Sequence, residues 1–375
     1  MTVPMKKVQR CTRCIMDDSS DETIRFDENG VCNYCTAQYA RKEKVYFPGA
    51  EGEARLKRMI EEIKQAGKGR QYDCIMGLSG GLDSSYLAML GFQRGLRVLA
   101  VHIDDGFDTD ISKENLRKLI AATGFDYEVI QPDAEQYNAL TRAYLKASVA
   151  NISAPQDNIL FAFLYSCMKK YHIRYFLSGS NFALECILQI GGSHNSLDLA
   201  NILDINRKFG TEPVDKLKFL SSTRKVVDRL LYGIKTYKPL NLIDYNRDRA
   251  FRELADFCGF EYYGRKHLEN ILTAFLQLYW MPKKFGVDKR TSHLSSMIVS
   301  GQMTREQALK EYAEALYDEK LMEEYISFIR EKLNISKEEF QEIMDAPPRL
   351  HTEFKTSGGV YKVLYGIRDR LKLYA

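Results

Sequence analysis

The stretch from Tyr72 to Ile103 constrains this chain most. Tyr72-Asp73-Cys74-Ile75-Met76-Gly77-Leu78 has strand character and runs straight into Ser79-Gly80-Gly81-Leu82-Asp83-Ser84-Ser85. The pattern then predicts a helix through Arg94, stopped by Gly95, and a second buried strand over Arg97 to Ile103. Strand, loop, helix, strand is a unit with parallel strands, because the helix carries the chain back to the starting edge. Adjacent glycines let backbone amides approach an anion, the serines add hydroxyls, and a helix starting near Asp83 adds its positive end. Such a loop suits a polyphosphate. It is neither a Walker A loop, which needs Gly-Lys-Ser/Thr, nor a G-x-G-x-x-G dinucleotide fingerprint.

The alternation continues downstream. Helices are expected over Ile111–Thr123, Ala134–Val149 and Ile159–Tyr171, with strands over Tyr127–Ile130 and Arg174–Leu177. A late strand is expected over Pro239–Tyr245 and a helix over Arg247–Cys258, which leaves 186–238 as a long excursion. Strands alternating with helices mean an α/β fold with a parallel sheet covered on both faces. Ligands gather beyond the carboxyl ends of such strands, so Gly77 to Ser79, His102 to Asp105 and Ser178 to Asn181, including Gly179, should frame a nucleotide cleft. His102, Asp104 and Asp105 are adenosine or magnesium contacts in that frame, or a plain turn.

Cys11 and Cys14 form one C-x-x-C pair and Cys32 and Cys35 another, the spacing of a structural zinc site. Four thiolates would close the tetrahedron, so the metal would hold roughly the first 48 residues together without chemistry. An iron–sulfur cluster or a redox dithiol is the other reading of this spacing. Cys74, Cys167, Cys186 and Cys258 stand alone and read as small buried hydrophobes.

Lys plus Arg total 54 against 50 for Asp plus Glu, a net charge of +4 that announces no polyanion-binding surface, and nucleic acid is not favoured as a partner. The N-terminal residues lack a signal-peptide apolar run, and Ile159–Met168 and Ile271–Met281 fall short of the roughly 20 residues of a membrane span. A cytoplasmic location is expected, with both segments as buried helices.

Past the sheet, Gly191-Gly192-Ser193-His194-Asn195-Ser196-Leu197-Asp198 follows a strand end and reads as a substrate loop. From Gly264 onward the pattern is helical, with polar clusters at 264–270 and 288–294 that suit proton transfer, anion binding or simple helix caps. Residues 303–347 read as an outer helical layer with i,i+4 charge pairs.

The Ser79-to-Ser84 loop resembles the S-G-G-x-D-S loop of the ATP pyrophosphatase superfamily, with its adenine nucleotide α-hydrolase-like (HUP) fold. The resemblance implies that ATP is split between its α and β phosphates, with Gly77, Ser79, Gly80, Gly81, Asp83, Ser84 and Ser85 holding nucleotide, helped by Asp104 and Gly179. Asp83 would also meet a magnesium ion. A narrower resemblance spans nearly the whole chain. The cysteine knuckles, M-G-L-S-G-G-L-D-S-S, S-G-S-N-F-A-L-E, G-R-K-H-L-E-N and K-F-G-V-D-K-R-T-S-H-L together look like the N-acetyl sugar amidotransferases. These convert the acetamido group of a bacterial nucleotide-linked or cell-surface sugar into an acetamidino group, for lipopolysaccharide O-antigen or nonulosonic acid pathways.

That family implies catalytic roles for Asp83, Glu185, His267 and His293, and a sugar site of Asn181, Glu185, Asp288 and Arg290. It also implies ATP, Mg²⁺ and structural Zn²⁺. Three parts follow: a cysteine ribbon over 1–48, the nucleotide domain over 49–262 and a helical part over 263–375, the latter a candidate lid. No glutaminase nucleophile is evident, so a separate glutaminase subunit is the expected source of ammonia. The alternative is a tRNA-thiolating enzyme with the same loop, which would need cysteines beside the nucleotide.

Overall fold

The computed structural model describes residues 8–19, 21–189, 194–264 and 268–358. Five parallel strands, β1 (Cys74–Gly77), β2 (Val98–Ile103), β3 (Asp126–Ile130), β4 (Tyr175–Leu177) and β5 (Lys235–Tyr237), lie in the order β3-β2-β1-β4-β5. The sequence Val-Leu-Ala-Val-His-Ile of β2 is buried at every position, as a strand covered on both faces requires. β3, at the sheet edge, is only partly covered.

Two helices precede the sheet, α1 (Asn33–Val45) and α2 (Ala50–Ala66). The connections between strands contribute α3 (Leu82–Gln93), α4 (Asp110–Thr123), α5 (Ala134–Ala147), α6 (Ala154–Lys170), α7 (Phe182–Glu185), α8 (Leu199–Phe209) and α9 (Ser222–Tyr232). The rest comprises α10 (Arg247–Cys258), α11 (Ile271–Phe275), α12 (Met281–Phe285), α13 (Lys289–Ser300), α14 (Arg305–Tyr312), α15 (Glu319–Lys332) and α16 (Lys337–Asp345). A π-helical turn over Leu276–Trp280 joins α11 to α12, so the apolar run from Ile271 is helical as expected.

Local chemistry explains several boundaries. Thr109 caps α4 by accepting the Ser112 N–H, and Gly124 ends it in the left-handed region at φ +63°. The late strand is displaced from its expected place. It is Lys235–Tyr237, which pairs with β4, whereas Pro239–Leu242 is a 3₁₀ turn. Proline has no N–H for the ladder, so Pro239 opens the turn instead of the strand.

The largest apolar core joins α2, α3 and the sheet to Cys11, Cys14, Cys32 and Cys35 and to Met297 and Val299 of α13. A second core lies beneath α5, α8, α11 and α15 around Trp280. Each large aliphatic side chain fully removed from water there contributes about 1.5–3 kcal/mol. Among the described residues, no helix is long and apolar enough to cross a membrane.

Candidate functional site

The carboxyl ends of β1, β2 and β4 open into one cleft of about 760 Å³. Its floor is the loop after β1. Gly80 sits at φ +77°, and a Cβ there would lie 2.5 Å from the Ser112 carbonyl oxygen, so only glycine fits between loop and α4. Ser79 Oγ accepts the Gly81 N–H at 3.2 Å and lies 3.3 Å from Ser84 Oγ, which folds the loop around its own hydroxyls. Gly81 places no side chain over the start of α3, so the helix end faces the cleft. Gly179 packs its α-carbon against the Asp83–Ser84 backbone, where a Cβ would come within 3.2 Å.

Gly77, Ser79, Gly81, Asp83, Ser84 and Gly179 line the cleft. Gly80 shapes the loop from behind. Ser85 is fully buried on the other side of α3, away from that lining. Asp83 is held by a residue the sequence reading passed over: Tyr245, fully buried, donates its hydroxyl to Asp83 Oδ1 at 2.5 Å. Burial first, and the Asp83 charge second, push the Tyr245 phenol well above its ordinary value, so it stays a donor.

At the end of β2, His102 faces two acceptors, Leu78 O at 2.7 Å from Nδ1 and Asp108 Oδ2 at 2.8 Å from Nε2. Burial disfavours its charge, but the hydrogen bond and charge of Asp108 outweigh that and raise its pKa. Both ring nitrogens are engaged, so His102 is held in place between the loop after β1 and Asp108. Asp104 turns to Gln131 and the Gly106 N–H, and those bonds, the Gln131 one first, hold its carboxyl below the usual range. It does not line the cleft; Asp108 does. Asp105 is buried against Tyr137, Gln156 and Asn270, with burial raising its pKa.

The C-terminal half reaches this strand end directly. Asp108 and Asn270 form an antiparallel bridge, the Thr109 N–H donates to Glu269 O at 3.0 Å, and the Ile271 N–H donates to Phe107 O at 2.7 Å. This ladder carries Glu269 over the loop after β1, where Ser79 Oγ donates to Glu269 Oε1 at 3.1 Å. Glu269 lies within the quoted string G-R-K-H-L-E-N, but no periodicity singled it out.

At the end of β4, Asn181 caps α7: its Oδ1 accepts the Leu184 N–H and its Nδ2 donates to Gly179 O. Asn181 is buried and stands behind the cleft wall, whereas Glu185 lines it and accepts the Asn181 N–H at 3.0 Å. Lys238, just past β5, donates to Ser180 Oγ at 3.3 Å, with burial lowering its pKa against the opposing pull of Glu185.

The cleft also takes in the start of α13, where Asp288, Lys289, Arg290 and His293 line it with Met281 and Met297. Asp288 and Arg290 grip each other at 2.7 Å, and Arg290 also donates to Glu314 O. His267 and residues 191–193 lie outside the described residues. Of the predicted site, Gly77, Ser79, Gly81, Asp83, Ser84, Gly179, Glu185, Asp288, Arg290 and His293 therefore share one cavity, and Gly80, Ser85, Asp104 and Asn181 do not line it.

The four N-terminal cysteines meet as their spacing predicts. Their sulfurs all lie within 4.8 Å of one another and are buried, with Cys11–Cys35 at 3.9 Å and Cys14–Cys32 at 3.7 Å. A Zn–S bond of about 2.3 Å sets tetrahedral sulfurs about 3.8 Å apart, so the donor set fits that ion. The Cys14 and Cys32 N–H groups both donate to Cys11 Sγ, which suits a thiolate.

Residues 269–368 match the family described as LPS biosynthesis protein WbpG-like, C-terminal domain. This chain carries a WbpG-like C-terminal segment. The WbpG-like segment begins at Glu269, the residue that faces the phosphate loop, and includes Asp288, Arg290 and His293. A comparison with curated proteins found no match. Among solved structures, the chain is similar to the NMN synthetase from Francisella tularensis at 13% identity and a TM-score of 0.29, over 59% of this chain and 100% of that one. It is also similar to the NH3-dependent NAD synthetase from Campylobacter jejuni subsp. jejuni NCTC 11168, at 17% identity and a TM-score of 0.29, over 55% of this chain and 93% of that one.

Proposed function

We propose that this chain is an ATP-dependent amidotransferase that converts the acetamido group of an N-acetylated bacterial sugar into an acetamidino group, in lipopolysaccharide or related surface-glycan synthesis. One observation carries the reading: a pyrophosphatase-type loop and the WbpG-like segment line the same cleft.

The chemistry follows from what an amide lacks. Its carbonyl is a poor electrophile and its oxygen a poor leaving group, so ammonia cannot displace that oxygen unaided. In the proposed reaction the amide oxygen attacks the α-phosphorus of ATP, the α–β bridging bond breaks, and pyrophosphate departs. Ammonia then adds to the imidate carbon and loses a proton, and AMP leaves with the former amide oxygen. The loop amides, Ser79, Ser84 and the start of α3 would receive the pyrophosphate, a role supported by Ser79 and Ser84 lining the cleft. Lys238 adds a positive charge beside Ser180. Magnesium would neutralise charge on the departing phosphates, with Asp83, Asp108, Glu185 and Glu269 among the carboxylates the cleft offers. Asp288, Arg290 and His293 then face the sugar, and the helical layer over 303–347 helps keep water from the activated imidate. A glutaminase subunit is the proposed ammonia source, and the cysteine site is proposed to hold zinc.

Sulfur transfer to tRNA is the competing reading. No cysteine among the described residues lines the cleft, and Cys167 and Cys186 are buried with burial raising both thiols, Cys167 to about 12 and Cys186 to about 11. This supports the sugar reading. The deciding experiment measures pyrophosphate release from ATP with ammonium chloride, across N-acetylated nucleotide sugars and unmodified tRNA, with product masses read in parallel. Sugar-dependent release with oxygen exchanged for an imino group is expected. Release that depends on tRNA overturns the proposal.

A further inference from the structure

We propose that the cysteine knuckle is the brace of the cleft's sugar end, and that Arg305 and Tyr312 are the positioning residues that connect the two. The word sugar rests on the function proposed above; the mechanical link does not. α13 is packed on three sides. Lys289, Arg290 and His293 line the cleft, Leu294, Ile298 and the Ser295 hydroxyl pack on the knuckle, and Ser296 and Ser300 bond to Ile187 and Ala183, at and just past α7.

The joint is built from main-chain groups of the metal-site loop itself. Arg305 donates from Nε to Cys14 O at 3.0 Å and from Nη2 to Cys11 O at 3.1 Å, so one guanidinium holds the first C-x-x-C turn by both of its cysteine carbonyls. The Ile15 N–H donates to Ser295 Oγ at 3.2 Å, and Ile15 is buried with Leu294 and Ala308. Helix α1, which starts from Cys32, sends Lys42 to the last carbonyls of α13, Val299 at 2.9 Å and Ser300 at 3.2 Å. The Tyr312 ring lies between two guanidiniums, Arg10 of the knuckle at 5.1 Å and Arg290 of the cleft at 4.8 Å.

An ion held by the four thiolates fixes the carbonyl directions of Cys11 and Cys14, because a short turn between two ligands has little freedom left. Those carbonyls fix Arg305, and Arg305 begins α14, which carries Tyr312. Metal loading is thereby read out at Arg290, which lines the cleft. The consequence is selective: loss of the metal loosens the sugar end and spares the nucleotide end, which is built on β1 and α3.

The test is amide hydrogen exchange on the full chain, loaded and chelator-stripped, with an Arg305→Ala variant and the conservative Arg305→Lys variant beside it. Stripping is expected to speed exchange over residues 289–300 by about ten-fold or more while β2 stays protected. Arg305→Ala is expected to keep its metal, show the same local loss and bind ATP as tightly as the parent, with Arg305→Lys recovering part of the protection. If stripping melts the sheet as well, the loaded Arg305→Ala protein decides alone. Unchanged protection of 289–300 in that variant overturns the proposal. With any N-acetylated nucleotide sugar that supports pyrophosphate release, Arg305→Ala should raise KM for the sugar and not for ATP. Absence of release with every sugar removes the proposed function, and the exchange result still decides the brace.

Discussion

The hydroxyl of Tyr245 donates to Asp83 Oδ1 at 2.5 Å from a position with no solvent exposure. A carboxylate at the mouth of a phosphate loop must point the same way in every cycle, and a buried phenol on a separate segment fixes it better than a solvent-facing partner does. Tyr245→Phe removes that bond and keeps the ring. A hydrogen bond to a charged group contributes about 1.5–3 kcal/mol. Pyrophosphate release is expected to fall about ten-fold or more with only a small drop in Tm; an unchanged rate would show that Asp83 needs no such anchor.

Asp83→Asn should abolish pyrophosphate release and leave the metal content intact, because the loop and the cysteine site share no ligand. Metal analysis and a release assay on one preparation check this, and full turnover would remove Asp83 from the machinery.

Replacement of Cys11 by Ser should cost the bound metal and the local fold of the knuckle together, with β2 still protected from exchange. Its sulfur accepts from the Arg13, Cys14 and Cys32 N–H groups and is fully buried, so the site and its local fold go as one. A metal-free variant that folds normally would contradict the structural role of the knuckle.

Gly80→Ala puts a Cβ 2.5 Å from the Ser112 carbonyl oxygen at a backbone φ of +77°. The left-handed conformation alone costs about 1–2 kcal/mol for an L-residue, and the clash with α4 adds to it. ATP affinity should fall with stability, both measurable by thermal shift with and without ATP.

His351 gives the pH dependence a defined sign. Burial first, then the charge of His194 stacked 4.3 Å away, lowers its pKa from 6.5 to about 3. The unfolded chain therefore binds a proton that the folded one refuses, and stability is present above about 6.5 and lost as pH falls toward about 3. Thermal melts between pH 7 and pH 4 should show this slope, and His351→Gln should flatten it.

Much of the site was legible because it is local. The phosphate loop lies within seven consecutive residues, and the knuckles declare themselves by spacing. What stayed hidden acts across long separations. Tyr245 lies 162 residues from Asp83, and Glu269 lies 190 from Ser79. No periodicity links such pairs; only the parallel sheet, which gathers strand ends from distant segments, brings them together. Asp104 drew attention because it follows β2 directly, yet the turn aims it at Gln131 and presents Asp108 to the cleft instead. β5 was missed because Lys235-Thr236-Tyr237 is three partly buried residues with no alternation to read, beside a more apolar Pro239-Leu240 that forms a turn.

The separation between Ser79 and Glu269 also sets a timetable for biosynthesis. A ribosome adding about 5–20 residues per second needs about 10–40 s to cover those 190 positions. Through that interval the nascent chain has made its phosphate loop but not the acid that faces it, and Cys14 waits longer still for Arg305, 291 residues on. The last third of the chain is therefore the closing piece of both ends of the molecule. A message truncated before residue 269 would yield a glycine-rich loop without Glu269, and a knuckle without Ser295 and Arg305.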